Sequence, residues 1–479
     1  MTIDALPNIA LLGIFGFYLS FGFDIETGKL WQTLVHVCRR WRNIVFKSPR
    51  HLELRLFCLF GRPVRTALDI WPPLPISISS YQHQKRGGDV DNIIAALERR
   101  DRVYKIDLWD VSSSDLEKIL AEMQEPFMAL TYLRLRWHDE VAKVARGPDL
   151  FLCGLAPHLR SLSLDGIPLP FPGLQKLMLS ANGLVDLHLL NIPHSVYFSP
   201  EAIVTTLSAL TKLKELELTF QSSRSRPVRE NRRPPPPTRT LLPALTNMTF
   251  KGINEYLEDL VAHIDAPLID ELSITFFQQL AFDNRQLARF IGRTPNLKLE
   301  GRNDARVAFS ECSVQVTFLL ETQVYTGEEE IKLGVPCKHP DLQLWSVTQL
   351  CALSFPEAFI PTVEHLYIVE SKYLPRPHWE NNIPKSQWLR FLRPFTAVKN
   401  LYLSEKVVPL IAPALRDLVG GGMTVVLPAL QCLLLEGLHT SGPVLEAIIP
   451  FINARQHSTH PIVVSYWNRE EDFWWDGEE

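Results

Sequence analysis

The sequence predicts an α/β solenoid behind a short helical head. Two observations predict the solenoid. An apolar unit, leucine or a near substitute at its first, fourth and sixth positions, recurs through most of the chain. The central residues of its first seven copies fall at 106, 133, 162, 187, 216, 248 and 272, which are spacings of 24 to 32 residues. Repeats of that length stack one strand and one helix per turn. A third observation predicts the head: residues 1–50 carry no such unit and show helical spacing instead, with Trp31, Leu34, Val37, Cys38 and Trp41 three or four apart.

Composition narrows the class. The chain has 479 residues, of which 46% are hydrophobic and 21% charged, as in globular proteins. A formal net charge of −4 gives no electrostatic case for nucleic acid. Seven cysteines (Cys38, Cys58, Cys153, Cys312, Cys337, Cys351 and Cys432) are widely spaced and form no C-x-x-C. The odd count fits free thiols in a reducing compartment, so a cytoplasmic or nuclear location is expected. Cys337 and His339 are neighbours, but two ligands do not make a metal site. No cofactor is expected. Ile9 to Phe23 is an almost wholly apolar run, yet only Asp4 precedes it as a charged side chain, and it falls short of the ~20 residues of a membrane span. It is read as a buried soluble helix, begun by Pro7, and no membrane association is expected.

In order, the head reads as a helix near Asn8 to Leu19, a polar turn at Asp24 to Gly28, and one or two helices over Leu30 to Phe46. These break near Arg39–Arg40 and end at Ser48-Pro49. The body, 51–465, carries the unit at Val103-Ile106-Leu108, Leu130-Leu133-Leu135, Leu159-Leu162-Leu164, Leu184-Leu187-Leu189, Leu213-Leu216-Leu218, Leu245-Met248-Phe250 and Ile269-Leu272-Ile274. It returns at Val363-Leu366-Ile368, Val398-Leu401-Leu403 and Leu430-Leu433-Leu435. Alternation within each unit predicts a short strand. Helical patterns lie between, as at Pro200 to Leu207. Leu174 to Asn182, LQKLMLSAN, is the most literal repeat consensus, but its centre is only ten residues before Leu187. It is therefore assigned to a helix.

Three segments stand apart. Ser222 to Thr240 holds six arginines, one glutamate and four consecutive prolines. It reads as a disordered, solvated insertion. The sharper alternatives are a basic import or acidic-partner patch, or a polyproline ligand. Asn296 to Pro356 loses the repeat frame and is expected to form an irregular sheet region, with a helix near Asp341 to Ala352. The tail, 466–479, combines three tryptophans with six carboxylates. It is either a frayed end or an aromatic cap folding back on the last repeat.

No catalytic constellation is legible. The chain lacks G-x-S-x-G, G-x-x-x-x-G-K-[ST], H-E-x-x-H and G-x-G-x-x-G. Gly420-Gly421-Gly422 is followed by Met423-Thr424-Val425, with Met where a phosphate loop carries Lys, and reads as a loop after a helix over Leu410 to Val419. His36 and Cys38, two apart on a helix, point away from each other. The chain is therefore expected not to be an enzyme.

Leu6-Pro7, then Leu11-Leu12-x-Ile14-Phe15, then Leu34-x-x-Val37-Cys38-x-x-Trp41 resembles an F-box. The likeness extends through His36 to Leu56, a Pro-rich strand around Ile70 to Ile76, and the stretches from His158, Glu255 and Phe395. Together these are similar to the basidiomycete F-box proteins with leucine-rich-repeat-like bodies. The resemblance implies a substrate receptor of an SCF-type cullin-RING ubiquitin ligase, acting in ubiquitin-dependent protein degradation. Its F-box would dock on a Skp-family adaptor and so on the cullin. The body would hold a target protein. Adaptor-binding residues implied are Leu6, Pro7, Leu11, Leu12, Ile14, Phe15, Leu34, Val37, Cys38 and Trp41. Arg134, Ser163, His188, Glu217 and Tyr402, between the repeat leucines, are candidates for the target-facing surface. The alternative is a leucine-rich-repeat scaffold for protein–protein interaction that engages no ligase.

Overall fold

The computed structural model describes residues 6–20, 30–49, 51–52, 54–58, 64–79, 90–109, 111–137, 147–227, 238–277, 282–297, 303–319, 330–355, 359–371, 383–417, 426–437, 442–456 and 462–469. They fall into two compact units, Met1–Tyr197 and Phe198–Glu479.

The first unit begins with three helices, α1 (Asn8–Ser20), α2 (Leu30–Val37) and α3 (Arg39–Lys47). Pro7 starts α1, its carbonyl accepting from the amides of Ala10 and Leu11. The expected break between the later helices falls at Cys38 rather than at the arginines. Cys38 is extended (φ −157, ψ 170), and its Sγ accepts from the Trp41 amide as the cap of α3. That break splits the stripe that an unbroken helix would align. Trp31, Leu34 and Val35 of α2 and Ile44 and Val45 of α3 turn inward, while Val37 turns out. Leu11 and Phe15 of α1 complete the small core, with the Phe15 ring 4.7 Å from that of Trp41. Arg40 ties the ends of the head together by donating to the Leu6 carbonyl and the Asn8 Oδ1.

The same unit continues as β1 (Leu56–Cys58), α4 (Val64–Ile70), β2 (Ile76–Ser79), α5 (Val90–Leu97), β3 (Val103–Leu108), α6 (Ser113–Glu122), β4 (Tyr132–Arg136), β5 (Ser161–Asp165), α7 (Phe171–Ser180) and β6 (Asp186–Ile192). The strand expected around Ile70 starts only at Ile76. The prolines at 72, 73 and 75 supply no ladder N–H and separate the end of α4 from β2. The six strands are parallel and pair in chain order. Ile106, Leu133, Leu162 and Leu187 lie opposite one another in register. Every one of them is fully buried, whereas the alternate residues Lys105, Tyr132, Arg134, Ser161, Ser163, Asp186 and His188 are half-buried. LQKLMLSAN lies on α7, as its spacing required. Gly173 in the first turn of α7 stands close to the preceding loop: an added Cβ would be 2.3 Å from the Asp149 carbonyl oxygen.

The second unit runs α8 (Pro200–Leu207), β7 (Glu215–Phe220), β8 (Thr240–Leu241), β9 (Asn247–Gly252), α9 (Asn254–His263), β10 (Ile264–Asp265), β11 (Glu271–Phe276), α10 (Arg285–Arg293), β12 (Asp304–Phe309), β13 (Ser313–Leu319), β14 (Glu330–Pro336), α11 (Pro340–Leu353), β15 (His365–Glu370), α12 (Lys385–Leu392), β16 (Asn400–Leu403), α13 (Val408–Asp417), β17 (Cys432–Leu435), α14 (Pro443–Gln456) and β18 (Val463–Tyr466). All ten strands implied by the leucine units across the two units are present. The frame-breaking stretch proves regular: β14, β13 and β12 enter the sheet as an antiparallel meander between β11 and β15. Two reversals restore direction, so β14 is parallel to β11 and β12 to β15. The expected helix there is α11. Of the Arg/Pro-rich segment, 228–237 lies outside the described residues, as does the triple glycine.

Successive helices of the second unit are joined by a buried carboxylate. Glu258 on α9 accepts from the amides of Gln286 and Leu287, each at 2.8 Å, at the start of α10. It satisfies two donors that the helix itself cannot. Burial nonetheless pushes its carboxyl up to about 7; the two amides oppose that shift, and Asp283 and Asp259 add to it.

Two outcomes follow from these geometries. Gly173→Ala is expected to lower stability by roughly 1–3 kcal/mol, because backbone must move to admit the methyl group; chemical denaturation of the two proteins measures it. For Glu258, a folded pKa of about 7, above the ordinary value of 4.5, means the native state holds the proton longer. Its contribution to stability is complete at low pH and is lost as pH rises from about 4.5 to 7, by up to about 3 kcal/mol. Glu258→Gln should flatten that window in urea-midpoint measurements, and an unchanged pH profile would refute the assignment.

Candidate protein-interaction surfaces

The head presents apolar side chains to solvent. Among the ten residues expected there, Leu11, Phe15 and Leu34 are buried and build the head itself. Leu6, Leu12, Cys38 and Trp41 are half-buried. Pro7 is exposed, and Ile14 and Val37 stand 46% and 59% exposed. Ile9 at 80% and Phe17 at 65% extend this surface beyond the predicted set. Here the expectation of a buried α1 fails. The helix is apolar around its whole circumference, and the head covers only the Leu11–Phe15 side. Phe17 lies three residues after Ile14, a spacing that was available as a signal.

The head is fixed to the first repeat of its own unit. The Trp31 indole donates to the Arg55 carbonyl at 3.0 Å. Its ring meets Trp71 edge-on at 4.9 Å, and Phe46 and His36 meet the same Trp71 at 6.4 and 6.1 Å.

The outer face of the first unit's sheet carries a coupled set of charges and rings. Register places Asp107, Arg134, Ser163 and His188 in one row across four strands, so three of the five target-facing candidates are neighbours. Lys105, Tyr132, Ser161 and Asp186 form the row beside it. The Arg134 guanidinium lies 5.1 Å from the Trp109 ring and 5.3 Å from that of Tyr132. Arg136 approaches the same Trp109 at 5.2 Å, and Lys105 lies 4.5 Å from Tyr132. Asp107 accepts from Trp109 Nε1 at 2.6 Å and pairs with Lys105 at 3.2 Å. Asp165 takes Arg136 at 3.2 Å and the Asn191 amide at 2.7 Å. Burial and then Asp107 push the Tyr132 phenol above its ordinary value, so it stays neutral. Half-exposed pairs of this kind add little stability singly. Together they hold rings and guanidinium groups in place with their charges balanced. Trp109, one residue beyond the repeat residue Leu108, was not anticipated.

In the second unit a single row runs Glu217, Thr249, Ser273, Lys332, Thr317, Arg306, Tyr367, Tyr402, Leu434 and Ser465. Glu217 and Tyr402 therefore share a row but stand seven strands apart, roughly 30 Å at the usual strand spacing. Tyr402 stacks on Tyr367 at 4.0 Å and 15°. Trp467 lies against both, at 5.4 and 5.9 Å. Trp467, the second residue of the tail, thus lies across the strand face rather than over the last repeat's open edge. Residues 470–479 lie outside the described residues.

Among the described residues, no group of three or more His, Cys, Asp or Glu is placed to hold a metal ion. Burial pushes Cys58 and Cys351 up to about 12, which keeps these thiols protonated. The Cys337 thiol donates to the His339 carbonyl rather than meeting its ring. Among the described residues no helix is long and apolar enough to cross a membrane.

No family model matches the chain, and no curated protein matches it. Among solved structures, the leucine-rich repeat-containing protein LegL7 from Legionella pneumophila aligns over 83% of this chain and 97% of its own, with 13% identity and a TM-score of 0.27. The strand ladders of the chain itself, each leucine stacked on the leucine of the next repeat, make the body an α/β leucine-rich-repeat-like fold.

Proposed function

We propose that this chain is an F-box-type substrate receptor. Its head would dock on a Skp-family adaptor of an SCF-type cullin-RING ubiquitin ligase. The outer faces of its repeat body would hold the protein to be ubiquitylated. The observation that carries the proposal is the apolar surface of the head, where Pro7, Ile9, Ile14, Phe17 and Val37 stand in solvent on a unit too small to bury them. Exposed patches of this kind on small helical units mark partner sites. A groove-binding helix surface needs anchors spaced three or four apart, which Ile14 and Phe17 supply.

The chain would contribute position rather than chemistry. Transfer of ubiquitin would belong to the enzyme recruited by the ligase, and the receptor would raise the local concentration of target lysines. Trp71 has a part in this. By holding Trp31, Phe46 and His36, it sets the head at one angle to the first repeat, so a docked adaptor inherits that angle.

Ile14→Glu with Val37→Glu is expected to weaken capture of a Skp-family adaptor by at least about tenfold, through desolvation of two charges at the interface. The thermal midpoint should stay unchanged, since both side chains are exposed. Isothermal titration with purified adaptor measures the first effect and scanning calorimetry the second. If the wild-type chain binds no such adaptor and removal of residues 1–50 leaves its interaction partners unchanged, the chain is a repeat scaffold outside the ligase system. Trp71→Ala should leave adaptor affinity within about twofold while speeding proteolysis between head and first repeat, because loss of the edge-on rings frees that junction.

A further inference from the structure

Strand alternation on β15 directs Leu366 and Ile368 inward and His365, Tyr367 and Val369 outward. Outward positions in this body are half-exposed as a rule, yet Val369 is 0% exposed. The cause is Trp467, itself buried, which lies over Val369 with Ala308, Tyr367, Tyr402 and Leu434 around it. The Trp467 amide first extends the ladder by donating to the Leu435 carbonyl at 3.0 Å. The chain then leaves β18 and turns back over the face. Two residues later Arg469, also buried, donates to the Glu370 carbonyl at 2.6 Å.

A segment serving only as an end cap would cover β18, whose Val463 and Tyr466 remain 62% and 56% exposed. This one instead covers the face that a repeat body uses for recognition. The indole stands at 72° to the Tyr402 ring and 57° to the Tyr367 ring, beside a valine and an alanine. The rim of the face offers the Glu370 carbonyl oxygen, an acceptor suited to a guanidinium.

We propose that the outer face of β12, β15, β16 and β17 is a docking site for a peptide bearing an aromatic residue followed two positions later by arginine. The chain's own Trp467-Asn468-Arg469 fills it as a built-in competitor. A target segment of that kind enters by displacing the strap. The proposal rests on the target-binding part of the functional reading and is independent of the head.

The test uses full-length protein carrying Trp467→Ala and Arg469→Ala, which vacates the face, and a fluorescein-labelled peptide Ser-Tyr-Trp-Asn-Arg read by fluorescence anisotropy. The peptide should bind the vacated chain saturably at one site. It should bind wild type about 10- to 100-fold more weakly, because the tethered segment competes at an effective concentration near millimolar. Peptides with alanine at the tryptophan or at the arginine should lose at least about tenfold in affinity, and Tyr402→Ala in the vacated chain should abolish binding. Absence of saturable binding to a vacated chain that still unfolds in a single cooperative transition overturns the proposal, as does equal binding to both chains. Should the double variant fail to fold, Arg469→Ala alone removes the strap's bond to the Glu370 carbonyl and so weakens the tethered competitor while keeping the Trp467 side chain for folding. Affinity for that chain no better than for wild type is then the refuting result. No adaptor is present in the assay, so its failure leaves adaptor docking untouched, and a failed adaptor capture leaves this site untouched.

Discussion

Within each unit, structure depends on one constraint: strands must pair so that every leucine of the L-x-x-L-x-L unit meets its counterpart in the next strand. A strand has a period of two, so a register slip of one residue would carry the leucines to the solvent face. Ile106, Leu133, Leu162 and Leu187 show the constraint met in the first unit. Met248, Leu272, Ile331, Phe318, Ala305, Leu366, Leu401 and Leu433 show it in the second, through two changes of strand direction. The meander of β12, β13 and β14 is tolerated because it respects that parity. Each reversal keeps the inward positions inward, and two of them let the parallel repeats resume at β15.

The same parity frees the opposite face for function, and the two units use it differently. In the first, cations and rings alternate, and each cation has a carboxylate within reach. Such a face has little long-range field and would discriminate partners by shape and by where its guanidinium groups sit. In the second, the comparable face holds stacked tyrosines under a buried indole. A cost attends that arrangement, since ordering the last residues of a chain loses conformational entropy. Trp467 offsets it with a large buried ring and Arg469 with a charge-assisted hydrogen bond. Both contacts fall on the face rather than on the edge that a simple terminator would cover.

What the sequence made legible follows the same rule. Leucine spacing located ten strands, and the refusal of LQKLMLSAN as a strand was correct because helix and strand periods differ over ten residues. Where one period stops discriminating, the reading failed. α1 is apolar all round, so no stripe marks which side is buried, and only its packing in the head shows Ile9, Ile14 and Phe17 outside. The Cys38 break was misplaced by one or two residues, because a thiol is a weak acceptor and an unusual cap. The meander was taken for irregular sheet since β12, β13 and β14 carry no leucine unit in the repeat frame, and only three residues, with no helix, separate β12 from β13. Trp109 and Trp467 were not placed from spacing: each lies just past a strand end, one after β3 and the other after β18, outside the leucine units.

Among the described residues, the head meets the β1–α4 segment through aromatic rings, and this bears on how such a receptor would work. A salt-bridged joint between exposed groups would be worth little and would yield to solvent. Trp71 instead receives three partners at once, and the Trp31 indole is held at its other end by the Arg55 carbonyl. Edge-on aromatic contacts have defined geometry, so the joint resists rotation as well as separation. A positioning subunit gains from that stiffness. The effective concentration of a tethered target falls as the range it can explore grows, so a loose joint would dilute the lysines that a fixed one presents. On the proposed reading, the exposed apolar side chains of the head and the ring-locked joint beneath them would act together, the surface that would capture a partner being carried on a support that does not swing.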